Sequence, residues 1–265
     1  MKIATYNING IKARITALTD WLRDADPDVA VLQEIKSVDE NFPADHFRDM
    51  GYQVETHGQK SFNGVAILSK LPLEDIRRGL PGDDGDEQAR YIEATVMGAH
   101  PVRVCGLYLP NGNPAPGPKY DYKLAWMARL EAHLRDLLQL EEPVVVCGDY
   151  NIIPQPEDAA RPDAWGKDAL FLPQSRAAWR RIVALGLTDA FRATHPHMPP
   201  QPSPEQFSFW DYQAGAWNRN DGIRIDHLLV SPQAADLLTE CQIDVEIRGR
   251  DKPSDHVPVW IALAA

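Results

Sequence analysis

The hydrophobic pattern of the chain consists of short apolar runs and of longer stripes at helical spacing. Residues 2–8 alternate as in a β-strand, whereas Val29-Ala30-Val31-Leu32 and Val144-Val145-Val146-Cys147 are continuous apolar runs, typical of strands buried on both faces. Helical spacing is found in three segments, residues 15–25, 124–138 and 179–185. The pattern therefore predicts a protein that contains both helices and buried strands.

Further strand-like segments complete the predicted sheets. They are residues 64–68, 91–97, 102–109, 207–212, 223–230, 243–247 and 258–263. Strands and helices do not follow the regular alternation of a doubly wound parallel sheet, so an α+β fold of packed sheets flanked by helices fits better. No internal repeat or long linker divides the chain, and we expect one domain over residues 1–265.

Composition excludes several classes of protein. The 265 residues carry 27 Lys and Arg against 38 Asp and Glu, a net charge of -11, which argues against a polybasic DNA binder but allows a local basic rim. Three cysteines without a close pair argue against a disulfide framework and favour a reducing compartment. No leader-like segment or membrane-length apolar run is visible, so we expect a soluble, cytoplasmic protein without a membrane partner.

Polar side chains stand next to many of the apolar runs. Those after or within a run are Asn7, Glu34, Asp149, Asn151 and Asp226, and Asp255-His256 precedes the last predicted strand. Each one alone has a structural alternative, as a turn residue or as a cap for neighbouring amides. Together they indicate a site, because burying a carboxylate costs several kcal/mol unless a cation or a donor compensates.

The candidate ligands are oxygen atoms, which are the donors that hard cations prefer. Glu34 with Asn7, with further carboxylate and amide oxygens in reach, suits Mg²⁺ or Mn²⁺. Zinc is disfavoured because the sequence has neither an HExxH motif nor a Cys/His cluster. His256 is the candidate catalytic imidazole, and Asp226 is the carboxylate that would orient it.

Six strings of the sequence together resemble a known family. They are residues 3–10 (IATYNING), 32–34 (LQE), 107–112 (LYLPNG), 148–152 (GDYNI), 224–227 (RIDH) and 254–258 (SDHVP). In this order and spacing they resemble the exonuclease III type of abasic-site endonuclease, in the endonuclease/exonuclease/phosphatase superfamily. The resemblance covers residues 1 to about 263.

The resemblance implies a fold and an activity. The fold is a four-layered αββα sandwich of two packed mixed β-sheets. The activity is Mg²⁺-dependent cleavage of DNA 5′ to abasic sites, together with 3′-to-5′ exonuclease and 3′-end-cleaning activities, in base-excision repair. The implied partner is double-stranded DNA with abasic sites or blocked 3′ ends, and we expect a monomer.

The resemblance also implies roles for single residues. Glu34 and Asn7 correspond to the metal site, to which Asp255 adds a further carboxylate. Asp149 corresponds to the group that activates water, and Asn151 and Tyr108 correspond to phosphate contacts. Asp226 corresponds to the residue that orients His256, which stabilises the pentacovalent phosphate or serves as the base. The sequence leaves open whether Asp149 or His256 takes the proton.

An aromatic segment is the candidate for substrate selection. Phe209 and Trp210, with Ile223 and Ile225, resemble the pocket that receives an extruded abasic sugar. The structural alternative is that these side chains belong to the core. Lys119 and Lys123 likewise have two interpretations, either as contacts to the DNA backbone or as the polar face of a helix.

Two other functions remain open at this point. The same scaffold could serve a phosphodiesterase with another substrate, such as a nonspecific nuclease or a lipid or inositol phosphate hydrolase. A catalytically silent binding scaffold is the other alternative, but it would be expected to lose some of Glu34, Asp149 and His256. All three are present.

Overall fold

Two mixed six-stranded sheets form the centre of the molecule in the computed structural model, which describes residues 1–197 and 203–264. The strands are β1 (Lys2–Asn7), β2 (Val29–Gln33), β3 (Gln53–His57), β4 (Val65–Ser69), β5 (Leu73–Arg78), β6 (Tyr91–Val96), β7 (Val102–Tyr108), β8 (Val144–Asp149), β9 (Thr188–Asp189), β10 (Asp226–Val230), β11 (Leu238–Ile243) and β12 (Val259–Leu263). The first sheet has the order β11-β12-β1-β2-β4-β3 and the second has the order β5-β6-β7-β8-β10-β9.

Helices cover the outer faces of both sheets, and the last two short ones pack against the core between the sheets. They are α1 (Ile11–Ala25), α2 (Ala44–Arg48), α3 (Pro118–Leu138), α4 (Pro173–Val183), α5 (Ala190–Thr194) and α6 (Pro232–Ala235). Leu18 and Trp21 of α1 pack on the first sheet, and Trp126 and Leu130 of α3 pack on the second. This confirms the predicted αββα sandwich. Within the described ranges, no helix has both the length and the apolar character needed to cross a membrane.

The core between the sheets explains the continuous apolar runs. In β2, Val29 and Val31 face the second sheet while Ala30 and Leu32 face the helical layer, and β8 divides its apolar residues between two clusters in the same way. Both faces of these strands are therefore buried. Gly106 of β7 lets the sheets approach each other, because a Cβ atom there would lie 2.4 Å from the Cγ1 of Val31.

The strand directions bring the predicted site residues to one edge. β1 runs parallel to β2, and β7 runs parallel to β8, so each pair ends at the same edge of its sheet. β10 is antiparallel to β8, with Asp226 opposite Asp149, and β12 is antiparallel to β1. The starts of β10 and β12 therefore lie at the edge where the parallel strands end.

Two predicted strands are wrong. Residues 207–212 form only isolated bridges, in which Phe209 pairs with Ile223 and His256. In the other segment, β11 ends at Ile243 and a 3-10 helix follows at Val245–Gly249. The intervening Asp244 accepts hydrogen bonds from the indole N–H groups of Trp21 and Trp260, at 2.7 and 2.9 Å, which anchor the chain where the strand ends.

A buried histidine supports the loop that follows β8. His227 packs against the rings of Tyr150 and Trp179, and its Nε2 lies 3.0 Å from the carbonyl oxygen of Ile152, to which it donates. Its Nδ1 is buried and has no hydrogen-bond partner among residues 1–197 and 203–264. Burial, together with the nearby Arg224 guanidinium, lowers the pKa of His227 to about 4.

This histidine should make stability depend on pH. The unfolded chain takes up a proton at His227 near its ordinary pKa of about 6.5, whereas the folded chain does so only near 4. The unfolded state binds more protons in that window, so His227 should remove roughly 3 kcal/mol of the free energy of unfolding as pH falls from 7 to 4. Urea titrations across this range should show a shallower fall for His227→Asn than for an exposed control, His100→Asn. Equal slopes in the two variants would contradict the assignment.

Candidate active site

A polar cleft of about 290 Å³ opens where the edges of the two sheets meet. The predicted residues that line it are Glu34, Tyr108, Asp149, Asn151, Asp255, His256, Phe209 and Ile225. Asn7 and Asp226 lie directly behind this lining, because they hydrogen-bond to Asp149 and to His256. The structure thus brings together ten of the twelve predicted site residues, which come from both sheets.

His256 is held between two carboxylates. Its Nδ1 lies 2.8 Å from Oδ2 of Asp226, and its Nε2 lies 3.6 Å from Oδ2 of Asp149. Burial acts to lower the pKa of His256, but the two carboxylates outweigh it and raise the pKa to about 10. With a carboxylate facing each ring nitrogen, the imidazole is a cation that donates a hydrogen bond to Asp226 and forms an ion pair with Asp149. It therefore supplies positive charge to the cleft.

Asp149 is the buried acidic group at the centre of this network. Its Oδ2 accepts a hydrogen bond from Nδ2 of Asn7 at 2.9 Å, and its Oδ1 accepts one from the backbone N–H of Asn151 at 2.8 Å. Burial raises the pKa of Asp149 to about 7, although the neighbouring His256 acts to lower it. A carboxylate with a pKa near neutrality is suited to accept a proton during a reaction.

Glu34 forms a second acidic centre in the cleft. Its Oε1 accepts a hydrogen bond from Nδ2 of Asn7 at 3.0 Å, and its Oε2 lies 3.0 Å from the ammonium group of Lys36. Burial acts to raise the pKa of Glu34, but Asn7 and Lys36 together hold it below the ordinary value. Glu34 is therefore an anion whose side chain remains 19% exposed.

The backbone is strained at the two loops that carry these groups. Glu34 and Asn151 both have left-handed φ angles, of 50° and 47°, directly after the strands β2 and β8. Non-glycine residues adopt this region rarely and at an energetic cost, so the surrounding hydrogen bonds must hold them there. The turn directs the Glu34 and Asn151 side chains into the cleft instead of continuing the strands.

Tyr108 and Asn151 contribute neutral donors. Burial raises the pKa of Tyr108 well above its usual value, and the carboxylates of Glu34 and Asp149 raise it further, so the phenol keeps its proton. The guanidinium of Arg90 lies over the Tyr108 ring, 4.8 Å from its centroid. Asn151 donates through Nδ2 to the carbonyl oxygen of Leu109 at 2.9 Å.

The structure divides the residues of the predicted sugar pocket between the cleft and the core. Phe209 and Ile225 line the cleft, and the Phe209 ring contacts the His256 ring edge to face, with centroids 4.9 Å apart. Trp210 is 0% exposed and packs against Phe207 and Trp217 in the core, while its indole donates to Asn220. Ile223 is also buried, in the cluster behind Phe209. Trp210 and Ile223 therefore do not line the cleft. Trp210 points away from it because adjacent residues of an extended segment, here Phe209 and Trp210, face opposite sides.

Several residues of the cleft were missed by the sequence analysis. They are Asn111, Asn113, Trp165, Asp168, Leu170 and Asp211. Asn111 and Asn113 carry the same signal as Asn151, namely an amide just beyond an apolar strand, and this signal could have identified them. Trp165, Asp168 and Leu170 come from a segment without hydrophobic periodicity, which gave no such signal.

Comparison with known proteins places this geometry in a family. The model of the Endonuclease/Exonuclease/phosphatase family matches residues 4–256. The chain belongs to this family. It is 38% identical to Exodeoxyribonuclease III of Haemophilus influenzae, with 98% of each chain covered. The enzyme class implied by the resemblance, a hydrolase of the exodeoxyribonuclease III and AP endonuclease type, is confirmed.

Solved structures agree with the family assignment. An AP endonuclease from Archaeoglobus fulgidus has a TM-score of 0.92 and 35% identity to this chain, with the whole of both chains covered. The 3′ phosphatase NExo from Neisseria, bound to a product DNA hairpin, has a TM-score of 0.94 and 37% identity, also over both whole chains. Nucleases of the family depend on a divalent metal, and the described part of this chain contains buried acidic groups, Asp149 and Asp226 with His256, that lie close enough together to hold an ion.

Proposed function

We propose that this protein is a divalent-metal-dependent DNA phosphodiesterase of base-excision repair, which cuts 5′ to abasic sites, degrades DNA from the 3′ end and cleans blocked 3′ termini. The observation that carries the proposal is the position of His256 between Asp226 and Asp149, in a cleft shared with Glu34. Hydrolysis of a phosphodiester needs an oriented water, a proton acceptor and groups that stabilise charge on the phosphate. The cleft has a candidate for each role.

Glu34, Asn7 and Asp255 are the residues that would hold Mg²⁺, with Mn²⁺ as the alternative ion. Glu34 and Asp255 offer carboxylate oxygens, which suit a hard cation that keeps several of its waters. Asn7 would hold the site in place through the hydrogen bond from its Nδ2 to Glu34, because its Oδ1 accepts from the backbone N–H of Asn9. The Lys36 ammonium 3.0 Å from Glu34 marks this corner of the cleft as a position where positive charge is favourable. When bound, the ion polarises the scissile phosphate and offsets its charge. Asp149, Asp226 and His256 are assigned to proton chemistry instead, because the imidazolium already balances the two carboxylates.

Asp149 is the proposed base. Because both nitrogens of His256 face carboxylates, the imidazolium has no lone pair with which to accept a proton. Asp149 therefore orients the attacking water and accepts its proton, with Asn151 beside it. The cationic His256, the phenol of Tyr108 and the amide of Asn151 then donate to the phosphate oxygens as charge develops.

Abasic DNA is the proposed preferred substrate because of the shape of the cleft. Phe209 and Ile225 give one wall an apolar surface beside the polar groups. An abasic sugar is small enough to enter after extrusion from the duplex, whereas a nucleotide that keeps its base demands more room and more unstacking energy. Binding of double-stranded DNA, the monomeric state and a cytoplasmic location are part of the same proposal.

A cleavage assay tests the function directly. The purified protein would be incubated with two labelled duplexes that differ only in one abasic analogue, first with Mg²⁺ and then with EDTA in excess. With Mg²⁺ we expect a cut 5′ to the analogue, together with shortening from the 3′ ends of both duplexes, and neither product with EDTA. Uncut DNA in every condition would exclude the nuclease, and equal cutting of both duplexes would exclude the abasic preference and favour a nonspecific nuclease.

A further inference from the structure

A buried lysine connects two loops of the cleft. Lys123 belongs to α3 and is 0% exposed, so it neither contacts DNA nor contributes to a polar helix face, which were the two interpretations of the sequence. Its ammonium group donates to the carbonyl oxygen of Asn111 at 3.0 Å and to that of Asn151 at 2.6 Å. A single side chain thereby ties the loop after β7 to the loop after β8.

The two loops are joined a second time by their own side chains. Nδ2 of Asn111 donates to Oδ1 of Asn151 at 3.1 Å. Gly112 passes over the Lys123 side chain so closely that a Cβ atom there would lie 2.7 Å from the Cδ of Lys123. Its φ angle of 90° also favours glycine. The loop is therefore shaped to the aliphatic part of the lysine as well as to its charge.

Packing alone does not explain why a lysine occupies position 123, because an apolar side chain would pack there as well. Burial lowers the pKa of Lys123 to about 7, while the carboxylates of Asp149 and Asp168 act to raise it. Neighbours on the same face of α3, such as Trp126, Met127 and Leu130, belong to the hydrophobic core. An ammonium group at this position is expensive to bury, and what it gains there is the pair of loop carbonyls.

We infer that Lys123 is a positioning residue for the reaction, which holds Asn111 and Asn151 at the place where their amides meet the scissile phosphate. The inference rests on the proposed function. Lys123 does not touch the substrate. Its effect passes through the backbone of the two asparagines, so its loss should impair the transition state more than the binding of DNA.

The test compares Lys123→Met and Lys123→Gln with a control on the same helix, Arg135→Met, whose side chain is exposed and paired with Glu131. Kinetics are measured on the abasic duplex with Mg²⁺. We expect Lys123→Met to lower kcat about 100-fold, the size of effect that a misplacement of about 1 Å produces, with KM changed less than about threefold. Lys123→Gln keeps N–H donors without the charge and should be intermediate. Arg135→Met should match the wild type.

A double variant separates positioning from a general loss of structure. Once Asn151→Ala has removed the amide, adding Lys123→Met should lower kcat by only a further roughly threefold, because both changes act on the same group. If the decrease in kcat of the double variant equalled the product of the decreases in the two single variants, the inference would be overturned. An unchanged kcat in a folded Lys123 variant, a rise in KM alone, or failure of both Lys123 variants to fold would overturn it as well.

A readout without activity distinguishes this inference from the proposed function. The side-chain amide of Asn151 donates to Leu109, so its hydrogens should exchange slowly in the wild type and at least about tenfold faster in Lys123→Gln, as measured by NMR. If the wild type failed to cut abasic DNA but the exchange rates changed in this way, the proposed substrate would be wrong, whereas the inference that Lys123 positions the two loops would be supported. Unchanged exchange rates would overturn the positioning role of Lys123, whichever substrate the protein cleaves.

Discussion

Asp149→Asn should lower kcat on abasic DNA by about a thousandfold or more, while the protein keeps its fold. The amide has nearly the same shape as the carboxylate, and its single oxygen can still accept the hydrogen bond from the Asn151 backbone N–H, whereas the bond that Asn7 donates to the second carboxylate oxygen is lost. What disappears is the ability to take a proton from water and the negative charge that faces His256. The loss should therefore fall on the chemical step.

Single-turnover cleavage separates that step from product release. Asp136→Asn is the matched control, since it makes the same chemical change at an exposed position of α3. Thermal melting of both variants verifies the fold. A single-turnover rate within about tenfold of the wild type would remove Asp149 from the role of base, since general-base catalysis typically contributes more than that.

His256→Ala should lower kcat by about a hundredfold to a thousandfold. The substitution removes the cation that faces the phosphate and leaves Asp226 buried without its partner. One oxygen of Asp226, Oδ1, already lacks a hydrogen-bond partner within the described part of the chain, so the isolated carboxylate should also reduce stability.

The double variant Asp226→Asn with His256→Ala distinguishes these two effects. It removes the uncompensated charge and should recover melting temperature but not kcat. His100→Ala, at an exposed position, is the control and should behave as the wild type. If the double variant regained activity together with stability, the role of His256 would be structural, and a different group would have to stabilise the phosphate.

Much of the fold followed from the hydrophobic pattern because the central strands are buried on both faces. The runs at Val29 and Val144 and the long helix that ends at Leu138 are confirmed, since burial leaves little choice of residue there. Edge strands gave no comparable pattern. β5 (Leu73–Arg78) was missed because it is largely exposed and its pairing with β6 shifts register, which breaks the alternation.

The site was predictable to the extent that it depends on strand ends. Glu34 and Asp149 follow buried strands, and the parallel pairing of those strands with their neighbours brings them to one edge. Side-chain direction within the aromatic segment was not predictable, because Phe209 and Trp210 differ only in which side of the chain each faces, and no strand pairing fixed that register. Lys123 gave no signal either, since its partners are backbone carbonyls far away in sequence.

The proposed catalytic groups are divided between the two sheets. Asn7 and Glu34 come from the first sheet, whereas Tyr108, Asp149 and Asp226 come from the second, and direct contact between the halves is made by the Asn7–Asp149 hydrogen bond. A chain that has built only one sheet, whether newly synthesised or partly unfolded, carries half of the cutting machinery and has no competent centre. On the proposed function, cutting activity should therefore appear only after both sheets have assembled.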